Sequence, residues 1–184
     1  MKKAVLAGSI FLLPLSALAA DFSGHRAGVG FNSADIENVY GDRVDWGNGF
    51  KLEYGYNIKR IVGVNVSYSN TSDRVELITD GKRYGTNLKT NTYKLDADIG
   101  YTFDLNQFHV KPYGVIGLAS YKDKYEFHAG DAVSASSSYS DTAIYVGAGL
   151  RATFNDTLYT DLRIDRLTDD AFTDHFSLSI GYKF

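Results

Sequence analysis

The chain has no cysteine among its 184 residues. That excludes a disulfide framework and any thiolate metal site. Proline is almost as scarce, with 2 residues, so few positions lack the backbone N–H that a sheet ladder needs. Tryptophan and methionine occur once each. Past residue 20 no apolar run is long enough for a transmembrane helix, and apolar residues do not recur at helical spacing. Neither sign of charge dominates, with 19 Lys+Arg against 22 Asp+Glu and a net charge of -3. That balance gives no basic footprint for a nucleic acid. The four histidines, His25, His109, His128 and His175, lack the spacing of a metal site. There is no G-x-S-x-G elbow and no phosphate-cradling loop. No metal or cofactor is implied.

What is present begins with MKKAVLAGSIFLLPLSALAA. Lys2 and Lys3 form a basic start, Ala4 to Leu15 an apolar middle, and Ala17-Leu18-Ala19 a small-x-small cleavage site. This is the pattern of a secretory signal. Residues 1–19 are expected to be removed, leaving 20–184 as one domain. Tyrosine and phenylalanine are abundant, at 14 and 11 residues. Both suit a surface where apolar and wet environments meet.

The mature chain repeats with period two, the signature of strands. In LDADIGYTF, Leu95, Ala97, Ile99, Tyr101 and Phe103 share one face, and Asp96 and Asp98 share the other. AIYVGAGLRATF and LYTDLRID alternate in the same way. About eight such runs are readable, each of roughly ten residues, the length a tilted strand needs to cross a bilayer.

Alternation alone fits a soluble sandwich as well as a membrane barrel. Three features favour the membrane. Connections alternate in length: Asn57–Arg60, Asp104–Gln107 and Asn155–Thr157 are short, whereas 32–45, 70–90 and 121–140 are long. Short turns at one rim and long loops at the other are the outer-membrane arrangement. Aromatics such as Tyr54, Tyr56, Tyr101, Phe103, Phe108, Phe154, Tyr182 and Phe184 sit toward the short turns, as an interfacial girdle would. The polar face carries both signs: Arg26, Lys51, Glu53, Lys94, Asp96, Asp98, Lys111, Arg151, Asp161, Arg163 and Asp165. A lipid-facing Lys or Arg at mid-bilayer would cost about 2–4 kcal/mol. The charged face must therefore line the lumen and the apolar face must meet lipid. Tyr113, Tyr145 and Tyr159 fall inside by the same parity, so eight strands leave a filled interior rather than an open pore. The expected fold is all-β: an eight-stranded antiparallel up-and-down transmembrane β-barrel.

The signal, the short-turn/long-loop rhythm and the terminal FSLSIGYKF resemble the small eight-stranded bacterial outer-membrane barrels. These are the OmpX/Ail-type proteins, the OmpA-type transmembrane domain and the opacity proteins. VKPYGVIGLA resembles the family's PYxGxGxG strand, though Gly114 and Val115 depart from its glycine spacing. AGLRATFNDTLYTDLRIDRL resembles the family's strand-turn-strand ending. The resemblance implies a bacterial outer-membrane location and a non-enzymatic role at the cell surface, in adhesion or resistance to host defences. It implies that Phe176, Leu178, Ile180, Tyr182 and Phe184 form the signal read by the barrel-assembly machinery. Lipopolysaccharide and a host-surface ligand are the partners it suggests, for a monomeric barrel.

The second long loop holds the surface-contact candidates Arg74, Asp80, Gly81, Lys82, Arg83 and Tyr84. Asp80-Gly81 is a hairpin-turn signal, and Val75, Leu77 and Thr79 alternate before it. Strands three and four are thus expected to continue above the membrane as a ribbon. HAGDAVSASSSYSD reads as a small, polar, mobile loop. Two other functions compete: a narrow channel for small solutes, and a lipid A-modifying enzyme. The enzyme reading rests on His175-Phe176-Ser177, where His and Ser share one face of a strand. Parity puts both inside, away from lipid.

Overall fold

A computed structural model describes residues 22–37, 43–79, 82–105, 108–129, 132–168 and 173–184. The signal segment and the Asp80-Gly81 turn lie outside the described residues. The strands in chain order are β1 (Gly24–Glu37), β2 (Arg43–Ile58), β3 (Val62–Thr79), β4 (Lys82–Ile99), β5 (Phe103–Asp104), β6 (Phe108–Ala129), β7 (Ala132–Phe154), β8 (Leu158–Leu167) and β9 (Thr173–Lys183). Apart from the two-residue β5, each pairs antiparallel with both neighbours. Pairing of β1 with β9 and of β4 with β6 closes the ring. The result is an eight-stranded barrel, with β5 tucked against β6 in a turn.

The register fixes the barrel's shape. From His25 it runs through Tyr56, Val64, Ala97, Ile116, Val146, Arg166 and Asp174, and returns to β1 at Asp35. The path closes displaced from residue 25 to residue 35. Such a stagger requires the strands to tilt, typically by about 35–45°.

The turns at one rim are tight for local reasons. Asn155 and Asp156 both have positive φ, at 46° and 60°, the geometry of a two-residue type I′ turn. Thr157 N–H closes that turn on the Phe154 carbonyl at 3.1 Å. In the three-residue turn 59–61 after β2, Lys59 alone has positive φ, at 56°. At the opposite rim β1 and β2 slip register between Ala34 and Asp35. Gly47, at φ 105°, sits opposite Ala34, where a Cβ would meet the Ser72 backbone.

Side chains separate as period two demands. Val29, Phe31, Leu52, Val64, Val66, Leu95, Ile116, Leu118, Ile144, Leu150, Leu162, Ile164, Leu178 and Ile180 face outward and are exposed. Polar and charged residues fill the interior. This inverts a water-soluble core, and only a surrounding apolar solvent satisfies both faces.

Two expectations needed revision. HAGDAVSASSSYSD, expected as a mobile loop, is strand on both sides of residues 130–131: His128 and Ala129 end β6, and residues 132–141 begin β7, paired with β6 except for a register slip between Phe127 and His128. A serine run gives no apolar alternation, and the ladder to β6 supplies what the side chains do not. The aromatic belt is also double. Besides the rings near the short turns, Phe50, Tyr68 and Tyr93 pack outward toward the other rim, with centroids 5.8 and 5.0 Å apart in sequence around the wall.

Candidate functional site

The first candidate is the lumen. Every one of the eleven charged residues singled out above is turned into the barrel. Asp98 is the hub, with no exposed surface. It accepts from Lys111, from Arg151 at 3.3 Å and from Arg26 at 3.4 Å. Arg151 also donates to Asp161 at 2.6 Å, and the Tyr113 hydroxyl reaches the same carboxylate at 2.6 Å. A second cluster lies further along: Lys94 to Asp165 at 2.9 Å, Arg163 to Asp165 at 2.7 Å, and Arg163 to Asp96 at 3.0 Å. Asp96 also takes the Tyr145 hydroxyl. Lys51 and Glu53 form a third pair at 2.8 Å, with Tyr159 donating to Glu53 at 2.8 Å.

Several of these bonds cross the lumen rather than run along its wall. Arg26 on β1 reaches Asp98 on β4, Lys94 on β4 reaches Asp165 on β8, and Tyr159 on β8 reaches Glu53 on β2. Asn65, which charge counting had passed over, joins the clusters. It accepts from Arg26 and donates to Asp96 and Asp98. An amide can donate and accept at once, and only its inward parity hinted at the role. The space among Arg26, Glu53, Asn65, Arg151 and Arg163 is about 10 Å³, room for one water at most.

The His-x-Ser pair lies in this same interior. Ser177 Oγ accepts from Lys51 Nζ at 3.2 Å, and His175 Nδ1 meets the Asn32 amide at 3.4 Å. Both residues are buried, so lipid does not reach them.

The second candidate is the sheet that rises above the barrel. The β7–β8 ladder stops at Tyr145 and Leu167, whereas the β6–β7 ladder continues to Ala129 and Ala132. Likewise the β2–β3 ladder stops at Ser72, and β3–β4 continues to Thr79 and Lys82. Because β4 also pairs β6 as far as Tyr84 and Ala129, four strands form one continuous raised sheet. Arg74 and Tyr84 stand on it, both exposed. The backbones of Lys82 and Arg83 belong to its β4 strand. The terminal strand β9 presents Phe176, Leu178, Ile180, Tyr182 and Phe184 outward, all exposed. It is held between β8 and β1, and Phe184 exchanges two backbone hydrogen bonds with His25, both 2.8 Å.

A closed wall facing lipid, a packed polar interior and one raised rim define a transmembrane β-barrel of the bacterial outer membrane. Residues 5–184 match the family model described as the outer membrane protein beta-barrel domain, and the chain belongs to that family. No curated protein matches the sequence. Among solved structures, Ail of Yersinia pestis, in complex with the heparin analogue sucrose octasulfate, superposes with a TM-score of 0.64. It has 22% identity and covers 89% of this chain and 99% of that one. Neisserial surface protein A superposes at 0.60 with 18% identity, over 88% and 98%. The N-terminal barrel domain of Pseudomonas aeruginosa OprF superposes at 0.59 with 16% identity, over 88% and 99%.

Proposed function

We propose that this barrel acts without catalysis at the cell surface, in adhesion or in resistance to host defences, through the raised sheet of β3, β4, β6 and β7. The observation that carries the reading is the unequal rim. Two hairpins extend past the level at which β8 ends, and long ladders hold them in strand form. A rim built only to close the barrel has no use for that extension. On its β7 edge, Ala135–Ser138 lies beyond the β8 ladder. Such an edge can add a partner's extended strand through main-chain hydrogen bonds. The segment carries no Pro and no Lys, the residues that usually guard an exposed edge.

The test removes the extension and keeps the barrel. Residues 74–87 and 126–136 are each replaced by Asn-Gly at register-matched positions. At equal surface amount, cells carrying the shortened protein should attach to host-cell monolayers or to immobilised heparin several-fold less, or survive serum less well. Unchanged attachment and unchanged survival would sink the proposal. Heparin is included because the similar Ail structure holds a heparin analogue. The enzyme alternative finds no support in the inward placement of Ser177 and His175. Its check is Ser177→Ala, which should leave lipid A composition unchanged.

A further inference from the structure

The outer wall is not uniform. Across β7, β8 and β9 it holds a groove of about 710 Å³. Its floor is apolar: Val146 and Ala148 of β7, Ile164 of β8 and Phe176 of β9. Asp35, Arg166 and Asp174 also line it, close to the ends of β1, β8 and β9 at the raised rim.

This polar end is unusual for a wall that meets lipid. Arg166 grips Asp174 through two bonds, Nε to Oδ1 at 2.6 Å and Nη2 to Oδ2 at 2.7 Å. Asp35 stands directly opposite Asp174 on the β1–β9 ladder, and like charges so placed repel. Arg166 offsets one carboxylate. The Asp35 carboxylate has no hydrogen-bond or ion-pair partner among the described residues. The row lacks one cation.

The register gives the relative heights of these groups. The path around the barrel from residue 25 to residue 35 takes eight strand steps. At about 3.3 Å per residue and a tilt of about 40°, each step climbs about 3 Å and each residue about 2.5 Å. Asp174 then lies about 3 Å, and Asp35 about 6 Å, above Arg166. Phe31, an exposed ring further down β1, comes within about 2 Å of the level of Ile164. Phe31 on β1 and Ile164 on β8 flank β9 on its two sides.

We propose that this face binds a second copy of the chain, in a two-fold pair whose axis runs along the membrane normal beside β9. Both copies then keep one orientation in the membrane, and β8 of each faces β1 of the other, as a self-complementary interface requires. Arg166, already raised toward Asp174, meets the partner's Asp35, and the symmetric contact repeats it. Phe31 enters the partner's groove beside Ile164 and Ala148. The site is complete only with the partner, which supplies the missing cation and the ring that fills the floor. Lipid tails are as apolar as these residues, so close packing and polar contacts hold such a pair, not burial from water. The pair replaces the monomer that the family resemblance implies. It uses neither the raised sheet nor the β7 edge, and the hairpin truncation leaves this face whole, so the two proposals fail independently.

The chain has no native cysteine, so single substitutions report proximity cleanly. The test oxidises isolated outer membranes that carry the full-length protein. Phe176→Cys, beside the axis, should give a disulfide-linked dimer as its main product. Leu95 is exposed on β4, on the opposite wall, at roughly the level of Phe176 by the same count. Leu95→Cys should give several-fold less dimer. Added to Phe176→Cys, Asp35→Asn removes the ion pair and Ala148→Trp fills the groove, and each should cut the dimer several-fold. Heat-modifiable gel migration verifies that every variant folds. Equal yields from Phe176→Cys and Leu95→Cys would mean random collision and overturn the pair. No dimer from Phe176→Cys would leave the groove to lipid, and adducts only with other proteins would give it to a different partner; either result overturns the pair. A yield unchanged by Asp35→Asn would overturn the Arg166 contact, and one unchanged by Ala148→Trp would overturn the seating of Phe31.

Discussion

Asp98 shows how much one buried residue carries in this barrel. It has no exposed surface, and Lys111, Arg151 and Arg26 all turn their donors to it. Removing the acceptor leaves three buried cations facing one another, of which Arg151 keeps a carboxylate partner in Asp161. Breaking a buried pair by removing one partner costs about 3–5 kcal/mol. Asp98→Ala should therefore lower the urea stability of the vesicle-inserted barrel by about that much, and a midpoint within error of wild type would refute the hub. Glycines give a finer contrast. A Cβ on Gly149 would strike the Tyr113 ring and approach the Leu162 carbonyl at 2.8 Å, whereas on Gly114 its nearest neighbour is 3.9 Å away. Overpacking costs about 1–3 kcal/mol. Gly149→Ala should be destabilising to that degree and Gly114→Ala nearly neutral, by the same urea titration. Equal effects would mean that the tyrosine can move aside.

Among the elements, β9 offers the sharpest test of whether building the barrel can be separated from keeping it. Phe184 is 64% exposed, and its ring stacks with those of Tyr182 and His25, with centroids 6.5 and 5.9 Å away. Its backbone, not its ring, holds the strand to β1. Phe184→Ser keeps that backbone pair. It should slow insertion into vesicles assisted by the assembly machinery several-fold while leaving the urea midpoint nearly unchanged, and equal insertion rates would count against an assembly role. The elements also differ in how legible they were. β4, β7 beyond Ile144, β8 and β9 were readable because lipid outside and charge inside force strict alternation. The first part of β7 was not, because Ser136, Ser137 and Ser138 carry no inside-outside contrast and owe their strand to β6. Asn65 and the upper ring of Phe50, Tyr68 and Tyr93 were also missed. The first is uncharged, and the second lies away from the short turns that the aromatic count followed. The facing of Asp35 and Asp174 depends on the register between β1 and β9, which no local pattern in either strand reports.

For the whole molecule, the question is whether the closed ring is also a closed tube. A channel needs a continuous polar path wider than a hydrated ion. Here the polar interior is spent on itself: bonds from β1 to β4, from β4 to β8 and from β8 to β2 tie opposite walls together at successive levels. Tyr113, Tyr145 and Tyr159 fill the space between them, each 5% exposed or less. An ion entering this interior would have to separate Arg163 from Asp96 and Arg26 from Asp98 in turn. Each separation leaves charges in a medium where they cannot be rehydrated, and such a penalty is several kcal/mol per ion. Repeated at two levels, it makes steady conduction negligible at ordinary potentials, since 100 mV supplies only about 2.3 kcal/mol per charge. The wild-type protein in a planar bilayer should therefore show no steady single-channel steps at 100 mV in molar salt. Removing one strut, as in Arg163→Gln, should not open a path, because the Asp98 level remains closed. Well-defined steps from the wild type, with a size that changes in Arg151→Gln or Arg163→Gln, would show that ions do pass along this lumen. They would replace the surface-interaction reading with a narrow channel.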